Sequence, residues 1–529
     1  MALRLREIPL NLDENEESLP RRAAEILGLA LEDIRDWRIV RRGIDARKKP
    51  RVLRVYTVEF TVADEAALLR RHAGLARLEA APAPVSPEIV RVDRPHRALV
   101  VGMGPAGLFA ALHLAARGVT VTLIERGRPV EERVRDVERF WAEGVLDPAS
   151  NVQFGEGGAG TFSDGKLTTR LNDPRTQLVL RALVDCGAPE RILIEAKPHV
   201  GSDRLRRVLI EFRRRLQALG VEIRFNACLD GLECRDGRVI GGVLADGTLL
   251  SCGSLVLAPG HSARDTYEML HRAGVRLEAK PFALGVRVEH PAELINRIQY
   301  GLPGHPNLPA ADYALAWNDP DSGRGVYSFC MCPGGEVINA ASEAGGVVVN
   351  GMSLARRDGP FSNSALVAAV RPGDFAGNDP LAGVRFQRHW ERAAFAAGGG
   401  DYRAPAQNLM AFLGRARGPV RSSCRPPVRE AALAEVLPEF VTLGLRRALP
   451  HFDRKMRGFV SAEATLIGVE SRTSAPLRIL RDEAGQSLSH PGLYPAGEGA
   501  GYAGGIMSAA FDGLRAAENI LTTVNGSRL

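Results

Sequence analysis

The 529-residue sequence contains no run of about 18 consecutive apolar residues, the length a membrane-spanning helix needs. Its first residues, MALRLREIPLNLDENEE, lack the apolar core of a signal peptide, so a cytoplasmic protein without a membrane partner is expected. Cysteine is scarce: the seven residues Cys186, Cys228, Cys234, Cys252, Cys330, Cys332 and Cys424 are scattered, and no C-x-x-C occurs. A disulfide framework, a zinc ribbon and a dithiol redox motif are therefore unsupported, and no metal site is expected. Charge of one sign is also short, with 69 Lys+Arg against 62 Asp+Glu, a net of +7. For this length that points to solubility rather than nucleic-acid binding. Glycine is plentiful, at 56 residues, and the chain length predicts two or three domains rich in tight turns.

The pattern around which the chain is organised runs from His96 to Arg126. Ala98 to Val101 reads as a short buried strand, Gly102-Met103-Gly104-Pro105-Ala106-Gly107 as a turn, and Leu108 to Arg117 as an apolar helix stopped by Gly118. A second strand, Val119 to Ile124, ends in Glu125, 23 residues after Gly102. This is the order of a dinucleotide-binding unit. Gly102 permits the tight turn, Gly104 lets backbone approach a pyrophosphate, and Gly107 lets helix and strand pack closely. The helix N-terminus, with its unpaired N–H groups, then faces the phosphates. Glu125, with Arg126 beside it, is assigned to an adenosine ribose, which favours FAD or NAD over NADP.

Residues 1–80 read as a small α+β module. Leu3 to Ile8 alternates as a strand, Ser18 could cap a helix carrying Ala23, Ile26, Leu27 and Leu29, strands follow at Trp37 to Val40 and Val52 to Val62, and a helix runs from Ala63 to about His72. A proline-rich linker spans 81–96. Arg41 to Arg51 holds six basic side chains and one acid in eleven residues. Such a loop could bind phosphates, RNA or an acidic partner, or be a solvated hairpin tip.

Beyond Glu125, a charged helix runs from Glu131 to about Glu143, and the stretch from Ser150 to Leu167 places five glycines within eleven positions. Each loses backbone entropy and offers no packing, which suits a loop pressed against a flat or phosphorylated ligand, with Phe154 and Phe162 as anchors. An amphipathic helix (Asp203 to Leu219) leads to a strand from Val221 to Leu229 and a meander through Arg238 to Leu244 and Thr248 to Ser251. The strand Ser254 to Leu257 then enters the turn Ala258-Pro259-Gly260. Residues from about 266 to 457 read as a substrate or cap domain, in which Arg324 to Ala340 forms two strands joined by a Pro-Gly-Gly turn. Cys330 and Cys332 there are either redox-active or small buried hydrophobes. Finally, Leu493 to Met507 reads as strand, glycine-rich turn and helix start, with the helix reaching about Leu521.

Gly102, Gly104 and Gly107 with Glu125, then Ala258-Pro259-Gly260, then Gly497-Glu498 resemble the glutathione-reductase-type FAD-binding fold. More closely, GEGGAGTFSDGKL, YSFCMCPGGEVINAASEAGGVVVNG and GVESRTSAPLRI look like the family of bacterial FAD-dependent dehydrogenases, a likeness spanning nearly the whole chain. The resemblance implies an α/β protein with one discontinuous Rossmann domain (97–265 and 458–529), an α+β cap or substrate domain (266–457) and the N-terminal module. It implies non-covalent FAD, with NAD(P)H as a transient electron donor that has no glycine fingerprint of its own between residues 260 and 490. Gly157, Gly158, Gly160, Ala258, Gly260, Gly497, Glu498, Gly505 and Ile506 join the cofactor residues. Two positions depart from the common pattern: Gly497-Glu498 replaces Gly-Asp, and Pro259 replaces the Thr of Ala-Thr-Gly. The implied reaction is two-electron transfer at flavin N5 to or from a small molecule under the cap. Lys166 is a candidate for stabilising the reduced ring, and Glu470, Arg472 and Cys332 for the substrate pocket. Arg472 would hold a substrate carboxylate or pair with Glu470 or another acid. The alternative function is a flavoprotein that binds or modifies RNA through its N-terminal module.

Overall fold

The computed structural model describes residues 2–83, 91–169, 173–375, 377, 379–415 and 418–526. Residues 84–90, part of the expected linker, lie outside the described residues. The N-terminal module comprises β1 (Leu3–Leu10), α1 (Leu19–Leu27), β2 (Arg35–Lys48), β3 (Arg51–Thr61), α2 (Glu65–Arg71) and β4 (Leu78–Ala80), with sheet order β2-β3-β1-β4. That β-α-β-β-α-β order is the ferredoxin-like plan. Alternate residues Leu3, Leu5, Tyr56, Val58 and Phe60 bury one sheet face against Leu19, Ala23 and Leu27. Asn15, not Ser18, caps the turn leading into α1, accepting from Glu17 N at 3.0 Å.

The basic stretch from Arg41 to Arg51 is mostly strand rather than loop, because β2 continues to Lys48 opposite β3. It is also engaged within the chain. Arg42 exchanges backbone bonds with residues 194–196 (Arg42 N to Ile194 O 2.7 Å, Ala196 N to Arg42 O 2.8 Å) and pairs with Glu16 and Glu195, while Arg47 pairs with Asp45 at 2.7 Å.

The central unit follows with β5 (Arg97–Val101), α3 (Pro105–Ala115), β6 (Thr120–Ile124), α4 (Val130–Glu143), α5 (Arg175–Asp185), α6 (Ser202–Ala218) and β7 (Glu222–Arg224). Next come a meander, β8 (Leu229–Arg235), β9 (Arg238–Leu244) and β10 (Leu249–Ser251), then β11 (Ser254–Leu257) and α7 (Arg264–Arg272). The strand expected over Val221 to Leu229 is split. Asn226, at φ 54°, turns the chain, so Glu222–Arg224 joins the parallel sheet and Leu229 opens the meander. Alternation alone cannot say which sheet a residue joins.

A short strand β12 (Leu277–Ala279) leads into β13 (Phe282–Pro291), α8 (Ala292–Tyr300), β14 (Ala316–Asn318), β15 (Gly325–Cys332), β16 (Glu336–Asn339), β17 (Val349–Met352) and β18 (Phe361–Val370). The chain continues through α9 (Ala382–Gly398), β19 (Pro405–Asn408), α10 (Leu409–Phe412), β20 (Arg429–Glu430), α11 (Glu439–Lys455) and β21 (Thr465–Glu470). It ends with β22 (Leu477–Ile479), β23 (Leu493–Pro495) and α12 (Ile506–Gly526). Seven of these strands form one sheet, β14-β15-β18-β13-β21-β19-β20, whose core includes Leu284, Val286, Leu366, Leu445, Leu449 and Phe452. Although joined by the Pro-Gly-Gly turn, β15 and β16 do not pair: β15 lies between β14 and β18, and β16 pairs with β17. Also, β21 belongs to this sheet, beside β13 and β19, so the return to the central unit comes later than residue 458. The outgoing and returning chains run together as the antiparallel pair β12–β22.

The central sheet is parallel, in order β23-β11-β5-β6-β7. One face carries α3, α5, α6 and α12, and the other carries the meander and α7. Among the described residues no helix is long and apolar enough to cross a membrane, and no group of three His, Cys, Asp or Glu could hold a metal ion.

Candidate functional site

Taken in chain order, the central strands lie 3-2-1-4-5, and the order reverses between β5 and β11. In open α/β sheets the crevice outside the carboxyl ends at such a switch point is where ligands bind. Here those ends carry Gly102 to Gly107 and Ala258 to Gly260. Gly102 has φ +97°, and a Cβ there would lie 2.2 Å from Ala258 O. A Cβ on Gly107 would lie 1.9 Å from Gly102 O, so α3 can approach β5 only with glycine. Gly104 differs: its φ is not positive, and an added Cβ would meet nothing nearer than Gly158 Cα at 3.9 Å. The protein itself does not require glycine there, so the bare backbone at Gly104 is open to a group approaching from outside the chain.

The other glycine segments gather on the same point. Gly157 N donates to Met103 O at 2.9 Å, and a Cβ on Gly158 would lie 3.1 Å from Gly104 Cα. On Gly160, a Cβ would touch Ile506 at 3.4 Å. Gly497, at φ +77°, leaves only 2.7 Å between an added Cβ and Ala106, and Gly499 leaves 2.6 Å to Gly260 O. Gly260, Gly504 and Gly505, by contrast, face open space. The N-termini of α3, starting at Pro105, and of α12, starting at Ile506, both open here, and their unpaired N–H groups suit an anion.

Glu125 is buried, and its carboxylate accepts from Met103 N (2.8 Å), Gly127 N (3.0 Å) and Gly155 N (2.9 Å). A carboxylate has about four acceptor positions. Glu125 therefore fastens the first glycine turn to the third glycine loop, with about one position left for the expected ribose. Arg126 lies over the Phe154 ring at 4.3 Å and pairs with Asp265 at 2.9 Å. Sequence reasoning missed Arg133, on a helix read only as charged. It is fully buried and donates to Asn151 O (2.8 Å), Val152 O (3.0 Å) and Glu156 O (2.6 Å), shaping the glycine loop from behind, and burial pulls it down to about 10.

A second cluster lies where these loops meet the seven-stranded sheet. Arg287, fully buried on β13, donates to Glu470 (3.2 Å), Asn363 (3.2 Å) and Cys330 O (2.9 Å). Burial pushes the Glu470 carboxyl up to about 7, with Arg287 opposing. Burial likewise pushes Glu498 up to about 8, charge on Cys330 adding to the shift and Lys280 opposing it. Glu498 has no carboxylate hydrogen bond or ion pair among the described residues. Lys166 sits 3.8 Å from Asp164, which Arg357 also holds at 2.9 Å. The Cys330 thiol is held down chiefly by a hydrogen bond from Cys332, with Lys166 and Arg287 assisting, while Cys332 is pushed up. Lys166, Arg287, Cys330, Glu470 and Glu498 thus share one electrostatic site. Arg287 and Lys280 were missed from sequence, whereas Cys330 had been singled out with Cys332 by the Cys-x-Cys spacing.

Two expectations are corrected. Arg472 is not free to clamp a substrate: Glu391 on α9 holds it at 3.0 and 2.8 Å and Ser342 at 2.6 Å, while the same carboxylate takes Arg264 at 2.9 and 2.7 Å. The other reading of Arg472, an ion pair with an acid, is the one observed, but that acid is Glu391 and not Glu470, whose partner is Arg287. Cys332 is fully buried, and Cys330 is the thiol that the cations favour in its charged form.

A doubly wound parallel sheet, with a glycine turn at its switch point and further glycine segments gathered on it, defines a dinucleotide-binding protein of the Rossmann class. Residues 96–137 match the family model described as an FAD binding domain, residues 281–473 match "FAD-dependent protein, C-terminal domain-like", and residues 2–61 match a domain of unknown function. An uncharacterised protein of Clostridium beijerinckii is 46% identical over 527 residues, covering 98% of this chain and 99% of its own. The chain belongs to this family of FAD-dependent proteins; it binds FAD and is a FAD-dependent enzyme. Similar solved structures include a flavin-dependent brominase triple mutant (14% identity, 82% of this chain and 81% of that one, TM-score 0.37) and the glycine oxidase of Bacillus cereus (11%, 82% and 98%, 0.34).

Proposed function

We propose that the protein is a dehydrogenase that moves two electrons between FAD and a small molecule held where the glycine loops meet the seven-stranded sheet. The observation that carries this reading is the pair of carboxyls, Glu470 and Glu498, held near neutral pKa values beside Lys166, Arg287 and Cys330. Bound FAD supplies two-electron acceptor chemistry. The chain's own residues do the rest. The turn Gly104 to Gly107 and the α3 N-terminus would hold the pyrophosphate, the loop Gly155 to Lys166 and the turn Gly497 to Gly505 would flank the ring, and Lys166 would favour negative charge on it. Glu470 is protonated below about pH 7 and ionised above it, so it can give or take a substrate proton near neutrality. Its burial beside the fixed Arg287 excludes water and sets its direction. NAD(P)H is proposed as one electron donor.

Anaerobic stopped-flow reduction of the bound flavin by NADH, NADPH and a panel of carboxylates and unsaturated acids tests the reading. At least one donor should reduce the flavin, and Glu470→Gln should slow that donor by about 10²- to 10⁴-fold, as loss of a general acid or base does. If no donor reduces the flavin at a useful rate, the protein is not a dehydrogenase.

A further inference from the structure

Cys330 and Cys332 stand two apart on β15, where a regular strand would separate their Cα atoms by about 6.7 Å, the upper limit of a disulfide span. The strand is not regular there. Phe329 lies opposite Ala365 and Cys332 opposite Asn363, so three steps of β15 face two of β18, and Cys330 has the left-handed φ of 45°. The bulge contracts the strand at this point and folds the Cys332 side chain back over Cys330, so that Cys332 Sγ donates to Cys330 O at 3.4 Å. The surroundings are not those of a passive apolar cysteine. Arg287 donates to the Cys330 carbonyl, and both Arg287 and Lys166 favour negative charge on its sulfur. Charge on Cys330 is in turn felt at Glu498, in the glycine turn that packs on Ala106 of the cofactor helix. Non-glycine residues in left-handed conformations cluster at functional sites.

We propose that Cys330 and Cys332 form a redox-active dithiol exchanging two electrons with the bound flavin. This rests on the reading that places the flavin ring beside Lys166 and Glu498. Cys330 enters as thiolate and Cys332 as thiol. The S–S bond forms as the Cys332 S–H bond breaks, and the proton and one electron pair pass to oxidised FAD, which becomes the anionic reduced form. The reverse step reopens the disulfide.

The test is an anaerobic dithionite titration of the oxidised holoprotein, with alkylation and peptide mass mapping at each end. A disulfide and a flavin are each two-electron couples. The wild type should take up about four electrons per FAD, and its peptide holding both cysteines should be unalkylated and lighter by two hydrogens before titration, then doubly alkylated after it. Cys330→Ser and Cys332→Ser should each take up about two electrons per FAD, while Cys234→Ser, an exposed site, should keep the wild-type count. A wild type that takes up about two electrons, with both thiols alkylated in the oxidised protein, overturns the proposal even if neither variant folds. Dithionite needs no physiological donor, so failure of the dehydrogenase reading would leave this count unchanged.

Discussion

The buried ion cluster around Glu391 makes the sharpest stability prediction. Glu391 is 1% exposed and its carboxylate receives five hydrogen bonds: two from Arg264, two from Arg472 and one from Ser471 at 2.6 Å. Arg264 has a second carboxylate, Glu343 at 2.6 Å, but Arg472 has only the Ser342 hydroxyl besides. Glu391→Gln would thus leave Arg472 buried without a hydrogen-bonded carboxylate, since Glu343 acts on it only through space and is itself held by Arg264 and Arg388. Breaking a buried pair from one side costs about 3–5 kcal/mol, a factor of roughly 10² to 10³·⁵ in the folded-to-unfolded ratio. At an m-value of about 3 kcal/mol/M, the urea midpoint should fall by about 1 to 1.7 M. Trp390, adjacent in sequence, reports the transition by fluorescence. Arg472→Met should cost less, because Glu391 keeps Arg264, and the double variant should recover part of the Glu391→Gln loss. A Glu391→Gln midpoint within 0.3 M of wild type, about 1 kcal/mol, would refute the reasoning. So would a normal midpoint with a raised KM for a carboxylate substrate, which would return Arg472 to the substrate.

Gly104→Ala should fold normally, since the nearest atom to its new Cβ is 3.9 Å away, yet lose FAD affinity by about tenfold or more in a flavin-release titration; Gly107→Ala, with 1.9 Å to Gly102 O, should fail to fold, as solubility and circular dichroism would show. Glu470 has a folded pKa raised from 4.5 to about 7, so its contribution to stability is complete below about pH 4.5 and lost as pH rises to about 7. That loss is on the order of 3 kcal/mol, and the pH dependence of the midpoint from pH 4.5 to 8 should shrink by that amount in Glu470→Gln, Glu498 and Glu156 keeping their own shares. Lys166→Met should lower the flavin midpoint potential in a spectroelectrochemical titration; an unchanged value would make Lys166 a surface charge.

The turn Gly102 to Gly107 was legible because its glycine spacing is itself a pattern: the left-handed φ of Gly102 and the approach of Gly107 to Gly102 O act within six residues, although Ala258, which also crowds Gly102, is far off in the sequence. Strand β5, helix α3 and strand β6 were legible for the same reason, since burial on both sides of a parallel sheet writes continuous apolar runs. What escaped depends on contacts far apart in the sequence. Glu391 meets Arg264 across 127 residues and Arg472 across 81, and nothing in the helix reading QRHWERAAF marks which acid turns inward. The ferredoxin-like β2 was hidden by its own charges, because Arg42 and Arg47 lie along an edge strand whose partners are Glu16, Glu195 and Asp45. Cys330 was named with Cys332, but the bulge that sets its backbone escaped, because a bulge is a mismatch between two strands and the partner β18 begins about thirty residues further on. Glu125 was placed correctly at a strand end, but Gly155, one of the three backbone donors its carboxylate takes, is thirty residues away in the sequence.

Strand β23 and helix α12 complete a sheet begun some four hundred residues earlier, and this orders the protein's synthesis. Until Leu493–Pro495 leaves the ribosome, β11 is an open edge whose Leu255, Val256 and Leu257 are all destined for full burial. At about 5–20 residues per second, that edge waits roughly 10 to 50 s for its neighbour. The seven-stranded unit is made entirely within that interval, so it can fold while the cofactor crevice is still half-walled. A nascent chain therefore cannot complete its FAD site until the last strand arrives, and a chain cut short before residue 493 would keep its glycine fingerprint but expose an apolar strand edge of the kind that aggregates.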